Sequence, residues 1–448
     1  MSHAPLIISV SGLRGVVGRS LTPDVAIRYA AALAAEAPEG PLVVARDGRT
    51  TGPMLAELVR GALLASGRRV LDAGVAATPT VGVLVQSQGA AGGIQISASH
   101  NPPQYNGLKL FNADGRVIPS VEGQRVLQRY EQGLAAIDWA DFPRVGAVEA
   151  VADPIGEHLR RVLHCVDVER IRKRRFRVVL DANHGSGSVL GVPLLESLGC
   201  EVHVLGGEPN GRFAHPPEPT AENLASVLAE VASRGADVGF CQDPDADRLA
   251  LIDAQGSYLG EEKTLALCVA HRLQREQGPL VVNCSTSRMT EDLATKAGAP
   301  FSRSAVGEAN VVDRMLACGA MLGGEGNGGV IDPRVVLVRD SFVGMALTLD
   351  AMADRKLSLA ELAAELPEYA IHKSKVDLEP GRQCEWSALA EAFPEATTSG
   401  LDGLRLDWPD GAWLLVRASN TEPIVRLVAE APTAARAAEL CAAASKAM

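Results

Sequence analysis

Short apolar runs alternate along most of the chain with segments whose apolar residues recur every three and four positions. This is the pattern of strands interleaved with helices. Residues 42–45 (Leu-Val-Val-Ala) predict a strand, 53–66 a helix and 69–71 a second strand, with another apolar run at 93–96. The pattern returns in a second round, with strands at 176–180, 201–205 and 237–241 and helices at 186–198 and 221–233. A third round has strands at 279–283 and 320–322 about a helix at 288–297. Strands separated by helices of this length form βαβ units and parallel sheets. Near residue 370 the pattern changes. Residues 370–378, 403–407 and 412–417 read as β segments joined by turn residues, and 432–446 as an alanine-rich helix. The expected fold class is α/β: three tandem α/β domains with mixed, largely parallel sheets at 1–148, 149–253 and 254–368, then a smaller α+β domain at 369–448.

Composition narrows the partners. With 47% hydrophobic and 22% charged residues in 448, the chain is ordinary globular protein, long enough for three or four cores. A formal net charge of −11 and only 4% aromatic residues disfavour nucleic acid and anionic membrane, although small anions remain open where arginine and lysine cluster locally. The eight cysteines have no close pair at metal-ligand spacing. The first residues, Met-Ser-His-Ala-Pro, lack a signal-peptide pattern, and no apolar run reaches membrane-spanning length. A reduced cytoplasmic setting is expected.

Four loops carry candidate chemistry. Ser97-Ala98-Ser99-His100-Asn101-Pro102-Pro103 follows the run 93–96 and places a hydroxyl and an imidazole where open α/β sheets bind ligands. The prolines and Asn106-Gly107 predict irregular turn structure as far as Lys109. Asp243, Asp245 and Asp247 crowd three carboxylates at alternate positions after the run 237–241, which favours a hard divalent cation, magnesium before zinc. A calcium EF-hand is excluded, because Arg248 and Ala254 stand where it needs glycine and glutamate. Glu325 and Asn327, set among five glycines in 323–329, suit a polyhydroxylated ligand. Arg417, Ser419, Asn420, Thr421 and Arg426 offer two guanidiniums with hydroxyl and amide groups, the donors a phosphate takes. Arg14, between Gly12 and Gly15, adds a weaker signal. No Gly-Lys dipeptide supports a P-loop.

In this order and at domain spacing, the four loops resemble those of the α-D-phosphohexomutase superfamily. The resemblance spans essentially the whole chain, and the pattern, including Ala305-Val306-Gly307-Glu308, is most similar to phosphoglucosamine mutases of the archaeal type. It departs from many members in Asn327, Pro244 and Ala246. It implies four domains around a central cleft, Ser99 carried as a phosphoserine, and one Mg2+ per chain held by Asp243, Asp245, Asp247 and the Ser99 phosphoryl group. His100, Arg14 and Arg248 would surround the transferred phosphate, with Lys109 as general acid or base. Glu325 and Asn327 would read the sugar, while Arg417, Ser419, Asn420, Thr421 and Arg426 anchor the second phosphate. The implied reaction interconverts a hexose 6-phosphate and 1-phosphate through a sugar 1,6-bisphosphate, with glucosamine phosphate as the first candidate substrate and mannose or glucose phosphate as the alternative. A monomer or homodimer is expected. An aspartate-based phosphatase is disfavoured, since Leu249 and Asp247 occupy positions where that motif needs a small hydroxyl residue or valine.

Overall fold

The computed structural model describes residues 5–9, 11–377, 385–418 and 424–448. The chain divides into two compact units, Met1–Cys268 with Asn327–Ala363, and Val269–Gly326 with Ala364–Met448.

The first unit holds two sheets. A seven-stranded sheet runs in the order Ile7–Ser9, Gly12–Val16, Tyr105–Asn112, Gly92–Ile96, Leu42–Arg46, Val70–Val75, Val148–Ala150. Its last four strands are parallel, and the rest are antiparallel. The central strands Gly92–Ile96 and Leu42–Arg46 are buried at nearly every position, because helices such as Pro23–Glu36, Gly52–Ala65 and Thr78–Ser87 pack beside them. The apolar run Leu42–Ala45 reflects that two-sided burial, and the one buried polar side chain of the other strand, Gln95, donates to the Ala76 carbonyl at 3.0 Å. The second sheet is ordered Leu249–Asp253, Val238–Gln242, Arg177–Asp181, Glu201–Leu205, with only Leu249–Asp253 antiparallel. Helix Ser341–Arg355 belongs to this unit. Asp340 caps it by accepting from Phe342 N at 2.8 Å, and thirteen of its fifteen residues are buried.

In the second unit Leu280–Asn283 lies between Phe301–Ser304 and Leu322–Glu325, all parallel. A five-stranded antiparallel sheet follows, ordered Ala370–Asp377, Ile424–Ala431, Trp413–Ala418, Leu404–Asp407, Thr397–Ser399, with helix Ala434–Ala447 against it. Buried Arg405 joins the two sheets: its guanidinium stacks 4.3 Å from the Trp413 ring centroid and donates to the Cys284 carbonyl at 2.5 Å.

Two expectations need correction. Residues 105–112 form a strand through Asn106-Gly107, so no tight turn lies there. A Cβ on Gly107 would sit 2.4 Å from the Leu13 carbonyl, so close strand packing is what the glycine serves. The strand expected at 320–322 runs Leu322–Glu325, which puts Gly323 and Gly324 inside it. A Cβ on Gly323 would lie 2.5 Å from Met315 Sδ.

Candidate active site

Ser99 lies just beyond the end of strand Gly92–Ile96, in a turn whose backbone is left-handed, φ 49°. A non-glycine residue held there costs on the order of 1–3 kcal/mol, so neighbouring contacts must fix it. Ser99 N donates to Ser97 Oγ at 2.9 Å, and Ser99 Oγ donates to Asp243 Oδ2 at 2.7 Å. His100 Nδ1 is 3.4 Å from the same Oγ. Burial, then the nearby Arg248 and Arg14 charges, press His100 down to about 2, so its imidazole is neutral at physiological pH. Arg14 sits on strand Gly12–Val16, which pairs with Tyr105–Asn112, and its Nη1 donates to Asn101 Oδ1 at 3.4 Å.

The three aspartates occupy the turn between the antiparallel strands Val238–Gln242 and Leu249–Asp253. All are fully buried, and one carboxylate oxygen from each lies within 4.8 Å of the others. The turn is wound tightly. Asp243 Oδ1 accepts the backbone N–H groups of Asp247 and Arg248, both at 3.1 Å, and Ala246 is left-handed at φ 55°. Ser341 Oγ donates to the Ala246 carbonyl at 2.7 Å, and Ser186 N to the Pro244 carbonyl at 2.8 Å.

Burial, then the charges of Asp245 and Asp247, push Asp243 well above the usual carboxylate range. Burial also opposes ionisation of Asp245, but the Lys109 charge, with hydrogen bonds from Thr78 and Lys109, outweighs it and holds that group below its ordinary value. Lys109 Nζ donates to Asp245 Oδ2 at 3.1 Å and Asp247 Oδ2 at 2.7 Å. Asp245 Oδ1 and Asp247 Oδ1 are buried with no hydrogen-bond partner among the described residues. Two such oxygens beside a third carboxylate form an all-oxygen donor set that fits a hard divalent cation.

Four neighbours of this cluster carry no distinctive signal in the sequence. Arg339 Nη2 donates to Asp247 Oδ2 at 2.7 Å. Thr78 binds Asp245 twice, N to the backbone carbonyl at 2.9 Å and Oγ1 to Oδ2 at 2.5 Å. Asp47 and Arg49 form a buried ion pair at 3.1 Å beneath the Ser99 turn, where burial pushes Asp47 up to about 6 against the pull of Arg49. Arg339 could have been sought as the cation before the Asp340 helix cap, and Arg49 as the cation just past a buried strand. Neither pattern is distinctive by itself.

The first unit thus brings together Ser99, His100, Arg14, Lys109, the three aspartates and Arg248, whose Nε is 4.0 Å from Asp247 Oδ1. Asn327 also lies in this unit, its Oδ1 accepting from Gly329 N at 3.3 Å. In the second unit Glu325 is buried. Its Oε1 accepts from Asn283 Nδ2 at 2.7 Å and Gly307 N at 3.2 Å, which fixes the carboxylate at the end of its strand. Arg417 pairs with Asp402 and stands directly across the ladder from Arg426, which itself faces Lys375 on the next strand. Like charges opposed in this way repel, and an anion relieves them. Ser419, Asn420 and Thr421 lie outside the described residues.

A buried hydroxyl thus lies beside a carboxylate triad and is flanked by cations at the ends of α/β strands, and sequence comparison gives the chain a family. The chain matches the four domains of the phosphoglucomutase/phosphomannomutase family: alpha/beta/alpha domain I over residues 6–136, domain II over 156–256, domain III over 261–369 and the C-terminal domain over 375–447. It belongs to that family and is a phosphohexomutase, an isomerase, built from three α/β domains and a C-terminal domain. It is 37% identical over 440 residues to a phosphoglucomutase/phosphomannomutase of Thermococcus kodakarensis, covering 96% of this chain and 95% of that one. It is 34% identical to a Methanopyrus kandleri protein named "Probable phosphoglucosamine mutase", again covering 96% and 95%. Among solved structures, a phosphoglucomutase/phosphomannomutase family protein from Burkholderia thailandensis superposes with a TM-score of 0.85 at 28% identity, covering 98% of this chain and 97% of that one. No helix among the described residues is long and apolar enough to cross a membrane.

Proposed function

We propose that this phosphohexomutase interconverts glucosamine 6-phosphate and glucosamine 1-phosphate, with Ser99 as the phosphoryl carrier. The observation that carries the reading is the 2.7 Å hydrogen bond from Ser99 Oγ to Asp243, inside a buried carboxylate triad that also holds Lys109. Asp243, Asp245 and Asp247 would hold one Mg2+ with the Ser99 oxygen. When bound, the ion offsets charge on the transferring phosphoryl group.

The chain's own residues do the rest. In transfer from a sugar 1,6-bisphosphate to the enzyme, the sugar oxygen–phosphorus bond breaks and a Ser99 Oγ–phosphorus bond forms. The serine proton passes to Asp243, and the Lys109 ammonium gives a proton to the departing sugar oxygen. The reverse transfer restores both. Neutral His100 can donate or accept one hydrogen bond without adding charge, while Arg14, Arg248 and Arg339 balance the phosphoryl oxygens. Glu325 and Asn327 are assigned to the sugar hydroxyls. Arg417 and Arg426, with Ser419, Asn420 and Thr421, are assigned to the phosphate that stays on the sugar. The four domains are taken to meet near residues 148, 253 and 368.

Relatives named for phosphoglucosamine mutase activity support the amino sugar. The Thermococcus relative at 37% identity carries a different name, which keeps glucose and mannose phosphates as the second reading. Purified protein primed with sugar bisphosphate and Mg2+ should give its highest kcat/KM on glucosamine phosphate among the three sugars. Ser99→Ala should lose at least about 1,000-fold in kcat, and intact mass should locate one phosphoryl group on the Ser99 peptide of the parent only. Full activity in Ser99→Ala would end the assignment.

A further inference from the structure

One buried guanidinium spends all five of its hydrogens around the turn that carries Ser99. Arg49 Nε donates to Asp47 Oδ2 at 3.1 Å. Nη1 donates to the carbonyls of Pro102 at 2.8 Å and Tyr105 at 2.9 Å, and Nη2 to those of Ser99 and Asn101, both at 2.6 Å. Four of the five acceptors are thus backbone oxygens of a single seven-residue stretch. That stretch leaves one strand and enters the next, and few backbone partners lie within it, Tyr105 N donating to the Pro102 carbonyl at 3.0 Å.

The same ion pair holds the other side of the serine. Asp47 Oδ2 accepts from Ser97 Oγ at 2.7 Å, and Ser97 Oγ accepts from Ser99 N at 2.9 Å. The N–H of Ser99 is therefore tied to Asp47 through Ser97, and its C=O directly to Arg49. These two residues are 0% and 1% exposed. Their own backbone is confined as well: a Cβ on Gly48 would lie 2.3 Å from the His184 carbonyl, and Arg49 N donates to Asp47 Oδ1 at 2.9 Å.

We propose that Arg49 is a positioning residue for phosphoryl transfer, clamping the Ser99 turn in its left-handed conformation so that Oγ stays aimed at the aspartate triad. Its donors are exhausted, and the Phe213 ring centroid lies 5.1 Å from the guanidinium carbon, so Arg49 has no hydrogen left for a substrate phosphate. Only a planar five-donor fork reaches these acceptors together, and a lysine with three donors on a single nitrogen cannot.

The proposal rests on Ser99 being the phosphoryl carrier, and its test separates the two ideas. Arg49→Lys and Arg49→Ala should each lower kcat about 100-fold or more, with the KM for sugar phosphate changed less than about 3-fold, since a misplaced nucleophile loses rate without losing ground-state binding. Guanidinium ion should restore part of the rate in Arg49→Ala, and methylammonium should not. Hydrogen exchange read by mass spectrometry should accelerate in peptides covering 97–106 while strand Gly92–Ile96 stays protected. Where Arg49→Ala does not fold, Ser97→Ala removes one link of the same clamp and should show the same two changes more weakly.

Wild-type kcat in a folded Arg49 variant would overturn the proposal, as would a loss of kcat that only matches a loss of folded protein. Unchanged exchange in 97–106 would do the same. If the parent protein isomerises no sugar phosphate and never carries a phosphoryl group on Ser99, the functional reading fails. The exchange result then still decides whether Arg49 holds the turn.

Discussion

Asp243 concentrates three demands on one side chain: it anchors two backbone N–H groups of its own turn, accepts from Ser99, and sits among two like charges without solvent. Burial and repulsion raise its pKa, so ionising it costs stability unless a cation joins. Asp243→Asn keeps the shape and an oxygen for the backbone donors while removing one negative charge. In EDTA this variant should melt at the same temperature as the parent or higher. The parent should gain stability on adding Mg2+, by about 2.7 kcal/mol when the ion stands at a hundred times its Kd. The variant should gain much less, and thermal melts of both proteins with and without Mg2+ measure the difference. An equal gain would remove Asp243 from the ligand set. At this scale the sequence is legible where chemistry is crowded into a few consecutive positions, as in Asp243, Asp245 and Asp247. Thr78 and Arg339 were not legible. Each is an ordinary residue in its own segment and acquires meaning only from an aspartate more than ninety positions away.

Among the elements, the strands were easier to read than what surrounds them. Glu201–Leu205 and Leu280–Asn283 lie within a residue or so of the expected bounds: the second is a run buried at every position, whereas the first is a partly exposed edge strand marked by its Val202, Val204 and Leu205. Helix Ala225–Ser233 begins four residues later than the apolar spacing suggests, since residues 221–224 form a turn. The strand through Asn106-Gly107 was hidden because turn-forming residues there serve packing and side-chain bonding, with Asn106 Nδ2 donating to Thr51 Oγ1 at 3.0 Å. Register adds a feature no linear reading offers: Lys375, Arg426 and Arg417 stand abreast on three adjacent strands. If that row holds the phosphate left on the sugar, Lys375→Gln should raise the KM for sugar phosphate by about 3- to 10-fold and leave kcat nearly unchanged. Steady-state kinetics at low ionic strength, where exposed charges are least screened, gives the largest contrast. A fall in kcat at constant KM would contradict the assignment.

For the whole molecule, stability should carry a pH signature from a pair outside the reaction. His215 Nε2 lies 2.8 Å from Asp181 Oδ2 at the end of strand Arg177–Asp181, and both side chains are nearly buried. Burial lowers the imidazole pKa, but the Asp181 hydrogen bond and charge outweigh it, so the net shift is upward from 6.5. A raised pKa in the folded state means that this pair's stabilisation is complete below about pH 6.5 and is lost as pH rises through the higher folded value. Urea unfolding of the parent and His215→Gln at pH 5.5 and pH 8.5 should differ most at the lower pH and converge at the higher. A constant gap would leave the pair without a titrating role.

The order of domains was visible in the repeating pattern, whereas the grouping into two units was not, because it depends on where a helix finds its apolar partners. Helix Ser341–Arg355 follows the third strand group in sequence, yet it packs on the helices Gly156–His164, Val168–Arg174 and Gly187–Ser197, with Arg170 Nη2 reaching Asp350 at 2.6 Å. The first unit is therefore discontinuous, closed by Asn327–Ala363 after Val269–Gly326 has intervened. During synthesis, a chain that has emerged only to Cys268 possesses Ser99 and all three aspartates but lacks Arg339 and the helix that covers the second sheet. The ribosome must deliver nearly the whole polypeptide before the first half can finish folding, so an abortive, shortened product would retain every candidate catalytic motif of the first two domains and still have no completed site.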